Sequence, residues 1–146
     1  MRRSWREWVS IVLAVVWLAG AAAAHAAGIS KGDARKVRSV IEAQLSAFAA
    51  DDAPRAFSYA APGIRAMFGT PERFMTMVRE AYPVVYRPAS VSFLQPEAID
   101  GLVIQAVEMT DARGDVWIAV YRLERQRNRA WRITACEIAP SDARST

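Results

Sequence analysis

The sequence predicts one α+β domain in which N-terminal helices pack on one side of an antiparallel sheet. Up to about residue 81, apolar residues recur at spacings of three and four, which is the period of a helix. After Pro88 the pattern changes to β-branched and aromatic residues in short runs, which is typical of strands. Because the helical segments all precede the strands, a two-layer domain is expected.

Three helices are predicted. The first covers residues 33–50, and its apolar stripe holds Val37, Val40, Ile41, Gln44, Leu45 and Phe48. Asp51 and Asp52 end it, and Asp52 can cap a short second helix that has Pro54 in its first turn and stops at Pro62.

The third helix begins at Thr70, Pro71 and Glu72, which supply a cap, a preset φ and an early negative charge. Its buried face carries Phe74, Met77, Val78 and Ala81, and Pro83 ends it. Residues 64–68 fit either one helical turn closed by Gly69 or a short strand, and the sequence leaves both open.

About four strands are predicted, over residues 91–94, 102–109, 116–123 and 131–138, and the last three form a meander. Strand 116–123 is apolar on both faces: Trp117, Ala119, Tyr121 and Leu123 alternate with Val116, Ile118 and Val120. Such a strand is covered on both sides, and the helices can cover only one. A homodimer that packs through the outer face of the sheet is therefore expected.

Residues 1–26 are typical of a secretory signal peptide. Three arginines precede an uncharged run at residues 9–24, and Ala24-His25-Ala26 offers a cleavage site. A retained membrane anchor is the alternative, although the run is short for a bilayer span. Cleavage leaves a periplasmic or secreted domain of residues 27–140 with a disordered tail at 141–146, and no association with the membrane.

The net charge and the cysteine content limit the kinds of partner and disulfide that are expected. Loss of Arg2, Arg3, Arg6 and Glu7 with the signal peptide lowers the formal net charge from +4 to +2, so no nucleic-acid partner is expected. Cys136 is the only cysteine and cannot form an internal disulfide; it is expected to be a buried structural thiol, with an intermolecular disulfide as the alternative.

Several segments of the sequence resemble those of known protein families. Residues 115–123 (DVWIAVYRL), followed by Trp131-Arg132-Ile133, resemble the closing strands of the NTF2-like superfold, a cone of curved antiparallel sheet around helices. More closely, residues 41–48 (IEAQLSAF), 61–74 (APGIRAMFGTPERF) and 82–88 (YPVVYRP) are similar to the bacterial family DUF4864, a domain of unknown function. The resemblance covers nearly all of residues 36–138.

The resemblance implies the NTF2-like fold but no established chemistry, because that superfold includes isomerases, dehydratases, cyclases and non-catalytic binding modules. Members commonly have a small hairpin before the third helix that helps to close the cone. Here only residues 62–69 are available, which argues against a deep, closed pocket.

The catalytic classes that remain are few. Cleavage after Ala26 removes His25, the only histidine, whereas cleavage after Ala24 leaves it on a loose terminus. In both cases the folded domain is expected to lack Ser-His-Asp or Cys-His catalysis and His-ligated zinc. No metal and no cofactor are expected. The catalytic alternative is a cofactor-free isomerase or lyase with Glu137 as the base and Tyr121 stabilising an enolate, on the assumption that Glu137 shares the strand face of Trp131 and Ile133. Glu108 is a weaker candidate.

Aromatic and methionine side chains supply the candidate ligand-binding set, although the same spacing fits a plain core. The set is Tyr59, Phe68, Phe74, Met77, Tyr86, Trp117, Tyr121 and Trp131. Arginines could hold an anion, but solvated turns or pairing with acids such as Asp51 explain them equally well. The sequence therefore predicts a non-catalytic module that binds an apolar ligand or an envelope protein.

Overall fold

The structure, a computed structural model, describes residues 28–142. The predicted signal peptide with His25 lies outside the described residues, as do residues 143–146 of the predicted tail. Within residues 28–142, five helices precede five strands, so the predicted α+β order is confirmed. No helix in this range is long and apolar enough to cross a bilayer.

Two helices begin after the predicted caps Asp52 and Thr70, whereas the first begins at Lys31 rather than at residue 33, because Ser30 caps it. The helices are α1 (Lys31–Ala49), α2 (Ala53–Ser58), α3 (Pro62–Phe68), α4 (Pro71–Ala81) and α5 (Pro83–Tyr86). Side-chain oxygens of Ser30, Asp52 and Thr70 accept backbone N–H groups in the first turns of α1, α2 and α4. Residues 64–68, for which the sequence allows a helical turn or a strand, are helical and lie within α3.

Five helices, rather than three, stand before the sheet, and α5 was not expected. Pro83 ends α4 as predicted, but it also opens α5, because its fixed φ and missing N–H suit the first turn of a helix. The buried Val84 and Val85 of α5 join the core.

All strand pairs are antiparallel. The strands are β1 (Ser90–Phe93), β2 (Glu97–Ile99), β3 (Leu102–Thr110), β4 (Val116–Arg125) and β5 (Trp131–Pro140), in the order β1-β3-β4-β5. The predicted meander is β3, β4 and β5. Strand β2 pairs with the start of β3. It was not expected, because its three residues are all exposed and show no alternation of apolar and polar side chains.

A β-bulge in β5 interrupts the alternation of its side chains. Leu123 of β4 lies opposite Ile133, whereas the preceding residue, Arg122, lies opposite Ala135. Thr134 is therefore an extra residue on β5. An extra residue moves every later side chain of the strand to the other face.

The bulge corrects the predicted position of Glu137. Cys136, not Glu137, lies opposite Tyr121 and shares its face. The expectation that Glu137 lies on the face of Trp131 and Ile133 is wrong, because the bulge stands between them. Glu137 lies on the outer face and is exposed.

The core lies between the helices and the inner face of the sheet. Buried side chains of β3 and β4 alternate along this face: Val103, Gln105, Val107, Met109, Ala119, Tyr121 and Leu123. On the outer face of the same strands, Ile104, Ala106, Ile118 and Val120 are only half-buried. The helices thus cover one apolar face and leave the other uncovered within residues 28–142.

Candidate functional site

A cavity of about 330 Å³ opens between α3 and β5 and reaches into the core; we call it the α3–β5 cavity. Its helical wall is built from apolar residues of α1, α3, α4 and α5, among them Phe48, Ile64, Phe74 and Val85. Its other wall is formed by Tyr121 of β4 and by residues 133–137 of β5. Most of this lining is apolar, as in sites for small molecules.

Four of the eight predicted ligand-binding residues line this cavity: Phe68, Phe74, Met77 and Tyr121. Phe74 is at the centre of an aromatic cluster, with ring centroids 5.4 Å from Phe57, 5.7 Å from Phe68 and 6.0 Å from Phe48. The cluster fixes the helical wall, because rings at these separations attract one another beyond their burial.

The other four predicted residues lie elsewhere. The Tyr86 hydroxyl donates to Asp51, and the carbonyl of the half-buried Tyr59 accepts from the N–H of Ile133 in β5. The buried Trp131 ring lies under the Arg125 guanidinium at 4.9 Å. Arg125 also pairs with Asp33, which ties β4 to the start of α1.

Trp117 belongs to a second, larger groove of about 690 Å³ between α5 and the β3–β4 turn. Its indole N–H donates to the Asp111 carboxylate at 3.1 Å, and that carboxylate also accepts two backbone N–H groups of the turn. The bond from Trp117 is the main reason why the pKa of Asp111 is lowered. Because the Trp117 indole and the Asp111 carboxylate already form hydrogen bonds within the protein, they leave fewer polar groups for a ligand than the α3–β5 cavity does.

The most unusual polar group of the α3–β5 cavity is the Tyr121 hydroxyl. Tyr121 has no exposed surface, and its hydroxyl has no hydrogen-bond partner among the described residues. A buried polar group left without a partner costs about 1–3 kcal/mol. Burial raises the pKa of Tyr121 well above its ordinary value, so the hydroxyl keeps its proton.

Cys136 faces Tyr121 across the β4–β5 pair. Burial raises the pKa of the Cys136 thiol to about 12; the Tyr121 hydroxyl opposes the rise, and the Glu137 carboxylate adds to it. The hydroxyl is near enough to have this effect, but the geometry is not that of a hydrogen bond, and thiol sulfur is a weak acceptor. Cys136 is half-buried rather than fully buried, and a thiol that stays protonated is unreactive.

The opening of the cavity is marked by its exposed lining residues. Met67 of α3 is 76 % exposed. Glu137 of β5 borders the cavity as well, although it lies on the outer face of the strand and is exposed. Glu137 is the only charged side chain among the described residues that line the cavity. The site thus combines an apolar interior, a buried hydroxyl and one carboxylate near the solvent.

Helix α3 forms the most exposed part of the helical wall. None of its residues is buried, and Ala61 before it supplies no side-chain cap. Ile64, Met67 and Phe68 nevertheless line the cavity. Of α3, only Phe68 joins the aromatic cluster, and the helix buries none of its own residues.

No group of three or more His, Cys, Asp or Glu side chains able to hold a metal ion occurs within residues 28–142. Of the two alternatives for the arginines, pairing with acids applies to Arg79 and Arg87, which both contact Asp51.

Comparison with known proteins identifies the family. The family model for the domain of unknown function DUF4864 matches residues 30–146. The chain belongs to the DUF4864 family. A search of curated proteins gives no match. The crystal structure of an NTF-2-like protein of unknown function from Burkholderia xenovorans LB400 is similar, with 18% sequence identity and a TM-score of 0.47; the match covers 77% of this chain and 88% of that one.

Membership of DUF4864 confirms the resemblance found in the sequence, and the helices followed by an antiparallel sheet are the order expected for an NTF2-like domain. Among the polar residues of the cavity in this DUF4864 domain that sequence reasoning missed are Gln44 and Cys136. Gln44 carried a signal, because it is the polar residue within the apolar stripe of α1. Cys136 carried none, since its face depends on the bulge.

Proposed function

We propose that this DUF4864 domain is a non-catalytic binding module that holds a small apolar ligand in the α3–β5 cavity. The observation that carries the proposal is the cavity itself, about 330 Å³ in volume and walled mostly by apolar side chains. This volume is at the lower end of the range used for small molecules. An envelope protein is the other partner that the sequence suggests, but a concave, walled site favours a small molecule.

The signal-peptide pattern of residues 1–26 supports the further proposal that the domain is exported and acts in the periplasm or outside the cell. The catalytic alternative gains no support from the site. A general base next to Tyr121 would have to share its face, whereas Glu137 is exposed on the opposite face of β5.

We also propose that two copies associate through the outer face of the sheet. Ile104, Ala106, Ile118 and Val120 form a half-buried apolar surface there. Arg122 and Glu137 are exposed on the same face, so a two-fold axis could bring opposite charges together. A second copy would cover the face that the helices leave open.

The binding proposal can be tested with N-phenylnaphthylamine, a neutral apolar dye that fluoresces when it leaves water. Ile64→Trp places a large side chain in the cavity from α3, and we expect it to weaken dye binding at least tenfold. Ala66→Trp is the matched control, because Ala66 is exposed on the same helix and does not line the cavity. Absence of saturable binding, or equal affinities of wild type and Ile64→Trp, would overturn the proposal.

A further inference from the structure

The Tyr121 hydroxyl is the starting point for the chemical class of the ligand. It is a buried donor without a partner within residues 28–142, in a side chain that lines the α3–β5 cavity. Buried hydroxyl groups are normally hydrogen-bonded, and an exception calls for an explanation. A ligand atom that accepts from this hydroxyl would supply the missing partner.

The rest of the lining restricts the charge of that ligand. No lysine or arginine occurs among the described lining residues, so an anionic group would enter without a counter-charge. Burial keeps the Tyr121 hydroxyl protonated, and the Cys136 thiol beside it is neutral. Both groups at the inner end of the site are therefore uncharged.

Access to the hydroxyl requires a small adjustment, because Tyr121 has no exposed surface. The lining contains two methionines, Met67 and Met77. Methionine side chains are unbranched and adapt readily to a neighbouring group. We expect a shift of such a lining side chain to let a ligand atom reach Tyr121, which already borders the cavity.

We infer that the ligand is uncharged and carries a carbonyl-type oxygen, as in a ketone, ester or amide, which accepts a hydrogen bond from Tyr121 while the apolar part contacts α3 and α4. This inference rests on the proposed binding function. Anionic ligands such as fatty carboxylates are disfavoured, since nothing in the lining would neutralise them.

The test uses three competitors for the bound dye that share one ring system. Acetylnaphthalene has a neutral carbonyl, ethylnaphthalene has none, and naphthoate is an anion at neutral pH. We expect acetylnaphthalene to bind about fivefold to tenfold more tightly than ethylnaphthalene, as one hydrogen bond allows, and naphthoate to bind most weakly. Tyr121→Phe should abolish the preference for the ketone and leave the affinity for ethylnaphthalene unchanged.

Tyr59→Phe is the matched control, because Tyr59 does not line the cavity, and it should keep the preference. Equal binding of the ketone and the hydrocarbon by wild type, a preference that survives in Tyr121→Phe, or tight binding of naphthoate would overturn the inference while leaving the binding function standing. Failure of the dye to bind would overturn both. The wild-type series alone decides the matter if Tyr121→Phe does not fold.

Discussion

Asp51 connects the turn after α1 with α4 and α5. It has a φ of 53°, a left-handed conformation that Asp and Asn tolerate better than most residues. Its carboxylate accepts from the Tyr86 hydroxyl, from Arg79 at 3.0 Å and from Arg87 at 3.1 Å. The bond from Tyr86, followed by those arginines, lowers the pKa of Asp51 below its ordinary value of 3.8. Three contacts thus converge on one acidic group.

We predict that Asp51→Asn lowers the stability of the domain at neutral pH and that the loss disappears in acid. A carboxyl group whose pKa is lowered by folding stabilises the native state above the unfolded-state pKa, and this contribution is lost as the pH falls through the folded-state pKa. Asn keeps the backbone conformation but not the charge. Urea unfolding of wild type and variant from pH 7 down to about 3 measures the difference.

The matched control is Glu42→Gln, which removes the exposed pair of Arg38 and Glu42 within α1. An exposed pair of this kind contributes little, so its loss should change stability only slightly at any pH. If the effect of Asp51→Asn were small and independent of pH, the carboxylate would not hold these elements together.

At the scale of elements, α3 is the one helix within residues 28–142 that buries none of its residues. It has seven residues, none of them buried, and it lacks a side-chain cap at its start. We predict that its amides exchange with solvent at least about tenfold faster than those of α1, since local opening is easiest where few apolar contacts must break. Hydrogen exchange followed by mass spectrometry measures this, and bound N-phenylnaphthylamine should slow the exchange.

The α4 amides serve as the internal reference, because α4 has a capping threonine and buries Phe74, Met75 and Val78. Dye binding should affect α4 less than α3. Protection of α3 equal to that of α1, with or without dye, would contradict the view that α3 is a loosely held wall.

The sequence predicts this architecture wherever a pattern repeats over several residues, as in the stripe of α1 and the alternation in β4. It does not predict the bulge at Thr134, because the bulge depends on how β4 and β5 pair and cannot be recognised in the order of apolar and polar residues. The candidate site divides in the same way. Phe74 and Met77 can be predicted from the buried face of α4. That Cys136 lies opposite Tyr121 depends on the register of β5, which the sequence does not show.

At the scale of the whole molecule, the sheet has two apolar faces and the described residues cover one. Val107 and Tyr121 on the inner face have no exposed surface. Ile118 and Val120, on the outer face of β4, remain half-buried. Apolar patches that stay uncovered on a soluble domain commonly mark an interface. The α3–β5 cavity is walled by Tyr121 of the inner face, so association through the outer face would not enter it.

We predict that the domain is a dimer and that Ile118→Lys converts it to a monomer. Ile118 lies opposite Glu108 on the outer face, so the new lysine would have an acidic neighbour in the monomer but would bring a charge into the apolar interface. Ser46→Lys on the exposed side of α1 is the matched control and should remain dimeric. Sedimentation velocity distinguishes the two states, and a wild-type monomer at high micromolar concentration would contradict the interface. Because Ile118 and Tyr121 lie on opposite faces of β4, dye affinity per subunit should not alter, which separates assembly from ligand binding.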